Sequence, residues 1–562
     1  MWIRPARPTE AEASAATALV LASKAHWGYD DAFLAACRDE LTVTAADVPR
    51  RRIVVAEDLD GEFAGVAGLD GTPPHGRIGL LFVAPYAMGA GLGRALYAHL
   101  VEEAGALGFT GLTVESDPHA VGFYRALGAR PVPGTAGAPL PALTVPVPVR
   151  PGWARAWAGG RRAVHLGNVA EFQGQFGPPV PARRRDATGR GREAAAHYAC
   201  LAAFTGLHPA AVVLPRRVPD GWLAFVARRL RWSSVEVYDE TTEAALVARG
   251  GLGERWHGTP VVAWGHTPAV AALTGTPLPP GALRYESKLA SHELFTRLAP
   301  GHPGIRVPDR WTPPHRRAAA RLIAARARAG AGTVAKTEHG AGGSGTVVHT
   351  ARPRARSLPR GPLLLEEYVT GGGHPTYDGL VDAAGTVHDV GVAAMTMDGT
   401  AYGGATVGPG AVPDDTADRA ARFGRAVGRE LAATGYRGWF DVDFVADGTG
   451  QLAPTETNLR LTGPSAAFMI HRRLAEVADG LPLVRTVDRV PLGARLPDAE
   501  LIAFLERLAA RCAAIGTVLV PTIPTAAYEP EPYVGVALAA PTADHLAAVD
   551  ALVRAECRAL RV

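Results

Sequence analysis

Over the first 150 residues, apolar runs of strand length alternate with stretches of helical spacing. IVVAEDLDGEFAGVAGL, residues 53–69, sets two apolar runs on either side of Asp-Gly and predicts a β-hairpin. RIGLLFVAP predicts a strand, GRALYAHLVEEAGALG a helix, GLTVES a further strand and DPHAVGFYRALG a short helix. The stretch PVPGTAGAPLPALTVPVPVRPG then breaks the pattern with proline and glycine, and marks a boundary near residue 150. From about 160 to 285 the runs AVHLGNV, AAVVLP, SSVEVYD and TPVVAWG recur between helical stretches, which suggests a small α/β unit with a parallel sheet. Strands and glycine loops follow to about residue 475. The last stretch pairs the amphipathic helices ELIAFLERLAARCAA and ADHLAAVDALVRAECRAL with strands GTVLVPTIP and YVGVALAA. At 562 residues the chain is too long for one core, and four domains are expected: 1–150, 151–285, 286–475 and 476–562.

Composition narrows the class. Hydrophobic residues make up 47% and charged residues 20%, as in soluble globular proteins. A net charge of +4 implies no nucleic-acid partner. The four cysteines are far apart, with no zinc spacing and no disulfide framework, which fits a reducing cytoplasm. No apolar leader and no apolar stretch of membrane-spanning length is seen, so neither a signal peptide nor a membrane span is expected. The most informative bias is scarcity. Lysine occurs only at 24, 288 and 336 and asparagine only at 168 and 458, while arginine abounds as a GC-rich coding bias would produce.

LLFVAPYAMGAGLGRALYAHL sets Gly89, Gly91 and Gly93 between a strand and the first turn of a helix. Glycines there let backbone N–H groups approach an anion that the helix dipole also favours, although a tight strand–helix turn alone would use the same residues. Together with KAHWGYDDAF and ESDPHAVGFYRALGA, this turn resembles the GNAT acetyltransferase superfamily over residues 1–150. The resemblance implies that Gly89, Gly91 and Gly93, with Arg94 beside them, hold the pyrophosphate of acetyl-CoA. It also implies that Phe82 and Val83 pair with pantetheine and that Tyr124 protonates the departing thiolate. A phenol suits that step, its basicity being close to that of a thiolate; the other reading of Tyr124 is a core aromatic. Met88 stands where the family often has Gln or Arg, and Asp117 where it usually has Asn.

A second set of chemical residues lies further on. Lys336, in TVAKTEHGAGGSGTVVHT, sits between two apolar runs that read as antiparallel strands joined by a glycine-rich hairpin. Such a loop beside a lysine suits nucleotide phosphates, though it is no Walker A motif and a solvated surface hairpin would look similar. PLLLEEYVTGGG ends a strand in Glu366 and Glu367. GWFDVDFVADGTGQLAPTETNLRLTG reads as a hairpin around DGTG. If residues 447 and 450 close its turn, Asp441 faces Glu456 and Asp443 faces Pro454. Asp441, Asp443, Glu456 and Asn458 then share one face, with Arg460 following. Carboxylates so crowded are costly unless cations relieve them, and hard oxygen ligands suit Mg²⁺ carrying substrate phosphates. Pro454 weakens the register, since proline marks an edge strand or a bulge.

Lys288 in YESKLASHELF, Lys336 with its glycine loop, the Glu366–Glu367 pair and the D…E-x-N-x-R element resemble, in that order, the ATP-grasp superfamily. The resemblance implies that Lys288, Lys336 and the loop residues Gly342, Gly343 and Ser344 bind ATP, and that Glu366 or Glu367 holds adenine. It further implies that Asp443, Glu456 and Asn458 ligate Mg²⁺ and that Arg460 stabilises the transferring phosphoryl group. His374 stands where many members place a ribose-binding Glu. Asp441 stands where some dipeptide ligases have Arg, so it could bind an amine or a second metal.

The expected fold is therefore α/β and α+β multidomain: a GNAT fold, a Rossmann-like pre-ATP-grasp domain and a two-lobed ATP-grasp fold. The expected function is a fusion of an ATP- and Mg²⁺-dependent carboxylate–amine ligase, acting through an acyl phosphate, with an acetyl-CoA-dependent N-acetyltransferase in natural-product or amino-acid-derivative biosynthesis. The alternative is a ligase carrying a non-catalytic acetyl-CoA sensor. Partners would be small-molecule carboxylates and amines, with a homodimer left open.

Overall fold

Apolar runs bounded by short polar turns become the strands of four sheets. In a computed structural model the chain divides into two units, residues 1–161 and 162–562. The described residues are 2–561 other than 59, 136–138, 177–192, 234, 254–255, 341–344, 352, 354–357 and 360–362. Among them no helix is long and apolar enough to cross a membrane.

The first unit is a seven-stranded sheet, ordered β1 (Trp2–Pro5), β2 (Val54–Glu57), β3 (Phe63–Thr72), β4 (His75–Val83), β5 (Gly111–Glu115), β7 (Ala142–Pro146), β6 (Arg130–Pro131). Alternation gives each face its own core. Val54 and Ala56 join Leu96, Leu100 and Leu112 on one side, while Val55 joins Leu19, Val20 and Leu80 on the other. The first of these layers is closed by helix α3 (Leu92–Leu107), whose ends are set by Gly91 and Gly108 in the left-handed region, with φ of 84° and 90°. The second is closed by α1 (Glu10–Ala25), capped by Thr9 accepting from the Glu12 amide. A second helix, α2 (Asp31–Leu41), follows it, and α4 (Val121–Ala126) follows β5.

Among the described residues β4 and β5 are the one parallel pair in this sheet, and their pairing is short. It joins His75, Gly76 and Arg77 to Gly111, Leu112 and Thr113 and runs no further. β4 meanwhile stays paired to β3 up to Val83. The two strands thus part company over Ile78–Val83, which leaves a gap in the sheet beside the glycine turn.

The second unit holds three sheets. The four apolar runs of the 160–285 region form a parallel sheet ordered β10 (Glu236–Tyr238), β9 (Ala211–Val213), β8 (Val164–Leu166), β11 (Val261–Ala263). An antiparallel sheet follows, ordered β12 (Arg310–Trp311), β15 (Leu363–Glu367), β13 (Thr333–Thr337), β14 (Thr346–His349). The largest is antiparallel and eight-stranded, with β20 (Leu452–Asn458) at its edge and then β19 (Gly438–Ala446), β16 (His374–Val381), β17 (Val387–Asp398) and β18 (Ala401–Val407). It continues through β21 (Leu483–Pro491), β23 (Tyr533–Ala540) and β22 (Val518–Ile523), so strands from the C-terminal stretch extend the sheet that carries the acidic hairpin. Helix α6 (Asp414–Ala433) buries Ala420, Phe423, Val427 and Leu431 in the core that also holds Tyr377 and Phe440.

The hairpin β19–β20 is antiparallel, but its register differs from the expected one. Asp443 faces Glu456 and Asp441 faces Asn458, each two residues further along than the sequence suggested. One residue comes from the turn. The Asp447 carboxylate accepts from the amides of Thr449 and Gln451, and the ladder closes at Gln451 rather than at Gly450. The other comes from a bulge after Asp443 that leaves Thr455 unmatched, immediately beside Pro454 on the edge strand. Two shifts of one residue restore the parity, so the four polar side chains still project from one face.

Candidate functional site

In the second unit a cavity of about 1450 Å³ brings together Lys336, Glu366, Asp443, Glu456, Asn458 and Arg460. Glu367, His374 and Asp441 line it too. Lys288 begins helix α5 (Lys288–Leu298), whose N-cap Ser287 accepts from the Ala290 amide. Its ammonium lies 2.5 Å from Glu456 and donates to the Gly340 carbonyl at 3.2 Å. Lys336, on β13, lies 2.6 Å from Glu366 on the neighbouring strand and donates to the Thr455 carbonyl at 3.2 Å. Both lysines are buried. Gly342, Gly343 and Ser344 lie outside the described residues.

Electrostatics sort the acids into two groups. Burial works against ionising Glu456, but the charges of Lys288 and Lys336 outweigh it and hold that carboxyl below its ordinary value. For Asp443 the balance tips the other way: burial and the Glu456 charge outweigh Lys288 and the Thr376 and Asn458 hydrogen bonds and push it up to about 7. Burial, with Asp443 next to it, likewise raises Asp378 to about 8 and raises Asp441 as well. Asp378 comes from β16, and Trp439 Nε1 donates to it at 2.7 Å. Asn458 Nδ2 donates to Asp441 at 2.7 Å and to Asp443 at 3.3 Å, which commits its amide nitrogen and leaves its carbonyl oxygen to offer. Asp443 Oδ1 and Asp378 Oδ2 are buried without a hydrogen-bond partner among the described residues. An acid pair on facing strands, one oxygen orphaned and an amide carbonyl alongside, is a donor set that fits a hard divalent cation.

The remaining expected residues have partners of their own. Arg460 is buried, pairs with Glu286 and stacks 5.5 Å from the Phe172 ring. Glu366 is committed to Lys336, whereas Glu367 pairs with Arg306 at 2.7 Å, which holds its carboxyl below the ordinary range. His374 opens β16 and is kept neutral by burial. A different trio, Glu193, His197 and Glu529, also has metal-ligating atoms close together. There, Arg216 lies 2.9 Å from Glu529 and 3.7 Å from Glu193, so a cation is already supplied by the chain.

In the first unit, Gly89 and Gly91 have φ of 80° and 84°, a region that side chains resist, and among the described residues no atom lies within 4 Å of where a Cβ would stand. Gly93 sits in the first turn of α3, where a Cβ would meet the Phe123 ring at 3.4 Å. Arg94 is exposed on the same turn. Phe82 and Val83 pair with Val66 and Gly65 of β3, on the stretch of β4 that β5 has left. Tyr124 is buried on α4, its ring 6.1 Å from Tyr97 and 5.1 Å from Phe123. Burial raises its phenol pKa, so the group stays protonated and able to donate.

One polar cluster here was not assigned from sequence. Lys24 Nζ lies 2.5 Å from Asp117, which also accepts from the Tyr29 hydroxyl and the His119 amide. The rarity of lysine was the signal available, but the partner is remote in the chain and only the fold shows the pair.

Residues 22–129 match the acetyltransferase (GNAT) family, so the first unit carries a GNAT domain. No curated protein matches the chain. Among solved structures, N5-carboxyaminoimidazole ribonucleotide synthetase from Thermus thermophilus is similar at 17% identity, over 63% of this chain and 93% of its own, with a TM-score of 0.41. The carboxyaminoimidazole ribonucleotide synthase from Aspergillus clavatus complexed with ATP is similar at 14% identity, over 62% and 99%, with a TM-score of 0.40. Biotin carboxylase from Campylobacter jejuni is similar at 13% identity, over 60% and 83%, with a TM-score of 0.40.

Proposed function

We propose that the second unit is an ATP- and Mg²⁺-dependent carboxylate–amine ligase of ATP-grasp type, and that the first is an acetyl-CoA-dependent N-acetyltransferase. The observation that carries the ligase reading is the facing pair Asp443–Glu456, with Asn458 beside it and two buried lysines reaching the same strand, Lys288 at Glu456 and Lys336 at the Thr455 carbonyl. Asp443, Glu456 and Asn458 would hold Mg²⁺, whose chemistry is to neutralise charge on phosphate oxygens. Lys336 is a compact cation on the cavity wall and Lys288 reaches that wall through Glu456, and phosphate oxygens would replace carboxylate oxygens as their partners. Arg460 supplies a fixed positive charge, restrained by Glu286, at the wall where the phosphoryl group would transfer. A substrate carboxylate would attack the terminal phosphate, giving an acyl phosphate and ADP; an amine would then displace phosphate and form the amide. The residues contribute position and preset charge rather than a nucleophile.

For the first unit, the glycine turn offers backbone amides at the start of α3, the parted strands offer the free side of β4, and Tyr124 offers a proton. Mass spectrometry of products tests both halves together. Purified protein with ATP, Mg²⁺, acetyl-CoA and pooled amino acids should yield a species of condensation mass, absent from a Glu456→Gln variant, and an acetylated species absent from Tyr124→Phe. Failure to find the condensation product with any pool would remove the ligase assignment.

A further inference from the structure

The same cavity has a second polar wall, contributed by the C-terminal strands. β21 and β23 pair Val487 with Val536 and Val490 with Val534, so Asp488 and Arg489 together oppose the single residue Gly535. On a regular strand these neighbours would point to opposite faces. The bulge re-aims them, and both line the cavity, beside Tyr198, Trp264 and Tyr533.

Among the described residues the two charges lack opposite charges of their own. Asp488 is 6% exposed and accepts a hydrogen bond from the Tyr198 phenol. It forms no ion pair with the described residues, and burial pushes its carboxyl up to about 7. Arg489 is exposed toward the cavity, with its guanidinium 4.2 Å over the Tyr533 ring and no carboxylate paired to it among the described residues. Tyr198 also feels the charges of Arg460 and Asp441, which ties this wall to the acidic hairpin. A buried acid awaiting a cation and an arginine awaiting an anion, side by side, match a ligand bearing an ammonium and a carboxylate on one small frame.

We infer that the Asp488–Arg489 bulge recognises a free amino acid as the amine substrate, with Arg489 gripping its carboxylate and Asp488 receiving its ammonium. The inference rests on the ligase reading and names its nucleophile. The ammonium passes one proton to the Asp488 carboxylate. The nitrogen lone pair then forms the C–N bond to the carbonyl carbon of the acyl phosphate. The C–O bond to phosphate breaks, and phosphate leaves with that electron pair and the second amine proton. Aspartate and arginine thereby sort the acceptor by its two charges, while its side chain is left to the apolar lining.

The test uses the full-length protein with Mg-ATP and each of the twenty proteinogenic amino acids, compared with its amide and with its deaminated acid. Binding is read by titration calorimetry and ADP release is read separately, with each amino acid paired in turn with the others. At least one amino acid should bind, its amide and its deaminated acid each at least tenfold more weakly. Arg489→Met should remove the discrimination against the amide and Asp488→Asn that against the deaminated acid, both variants keeping the Mg-ATP stabilisation of the parent. Equal use of amino acid and amide, an Arg489→Met variant with unchanged KM for the amino acid, or no amino acid bound would each overturn the inference. Selective amino-acid binding without ADP release from any pair would instead sink the ligase reading and leave the recognition site standing.

Discussion

Replacing Glu456 with Gln separates the structural work of the acid cluster from its proposed work on a metal. In the folded protein Lys288 lies 2.5 Å from Glu456, and both side chains are largely buried. With an effective dielectric constant of about 20, their attraction is about 6 to 7 kcal/mol before desolvation is subtracted. Removing one partner of a buried pair costs roughly 3–5 kcal/mol, because the other charge is stranded. Lys288 keeps the Gly340 carbonyl and Lys336 keeps Glu366, which places the expected loss near the lower bound, about 3 kcal/mol. The unfolding temperature of the second unit should then fall by roughly 4 °C. Asp443→Asn should act in the opposite direction on the protein without ligands, since it takes a carboxylate out of a patch where burial and the Glu456 charge already resist ionisation. Yet both variants should lose the protection by Mg-ATP expected of the parent, about 2.7 kcal/mol when ligand stands at a hundred times Kd. Differential scanning calorimetry of the parent and both variants, with and without Mg-ATP, reads all six states. An Asp443→Asn variant as destabilised as Glu456→Gln, or a Glu456→Gln variant that keeps the Mg-ATP shift, would refute the reasoning.

Three further outcomes follow. Asp443 and Asp488 are raised to about 7 and Asp378 to about 8, chiefly by burial, so the folded state holds protons that the unfolded chain has released. Those protons are lost as pH rises through about 7 to 8, so stability without divalent cations should fall over that window, and Mg-ATP should flatten the slope; a melting temperature that rises over this window contradicts the burial of those acids. Tyr124→Phe should lower the kcat of acetyl transfer by about a hundredfold with KM for acetyl-CoA unchanged, in a thiol-release assay; a parallel loss of affinity would make Tyr124 a packing residue. Gly91→Ala forces a side chain to φ of 84°, which should cost about 1 kcal/mol and raise KM for acetyl-CoA more than it lowers kcat.

The face shared by Asp441, Asp443, Glu456 and Asn458 was legible because strand alternation depends only on parity. Their register was not, since the Asp447 carboxylate set the turn and Thr455 bulged beside Pro454, each by a contact that spacing does not encode. Lys288 and Lys336 were visible through rarity, but their carboxylate partners come from other elements of the fold. The Asp488–Arg489 pair was hidden for a sharper reason: adjacent strand residues read as opposite faces, and only the bulge against Gly535 turns both into the cavity. Likewise Asp378 sits within the buried strand β16 with nothing in its neighbours to announce the acids it meets. In the first unit the glycine turn was readable in sequence, whereas the parting of β4 from β5 is a property of two strands together.

The most direct measurement is electron paramagnetic resonance of Mn²⁺ titrated, in place of Mg²⁺, into the full chain with a non-hydrolysable ATP analogue. Tightly held Mn²⁺ that depends on the analogue and disappears in Asp443→Asn is the expected result. Mn²⁺ that stays free in the parent protein, or that binds equally well without Asp443, would contradict a metal site on the acidic hairpin.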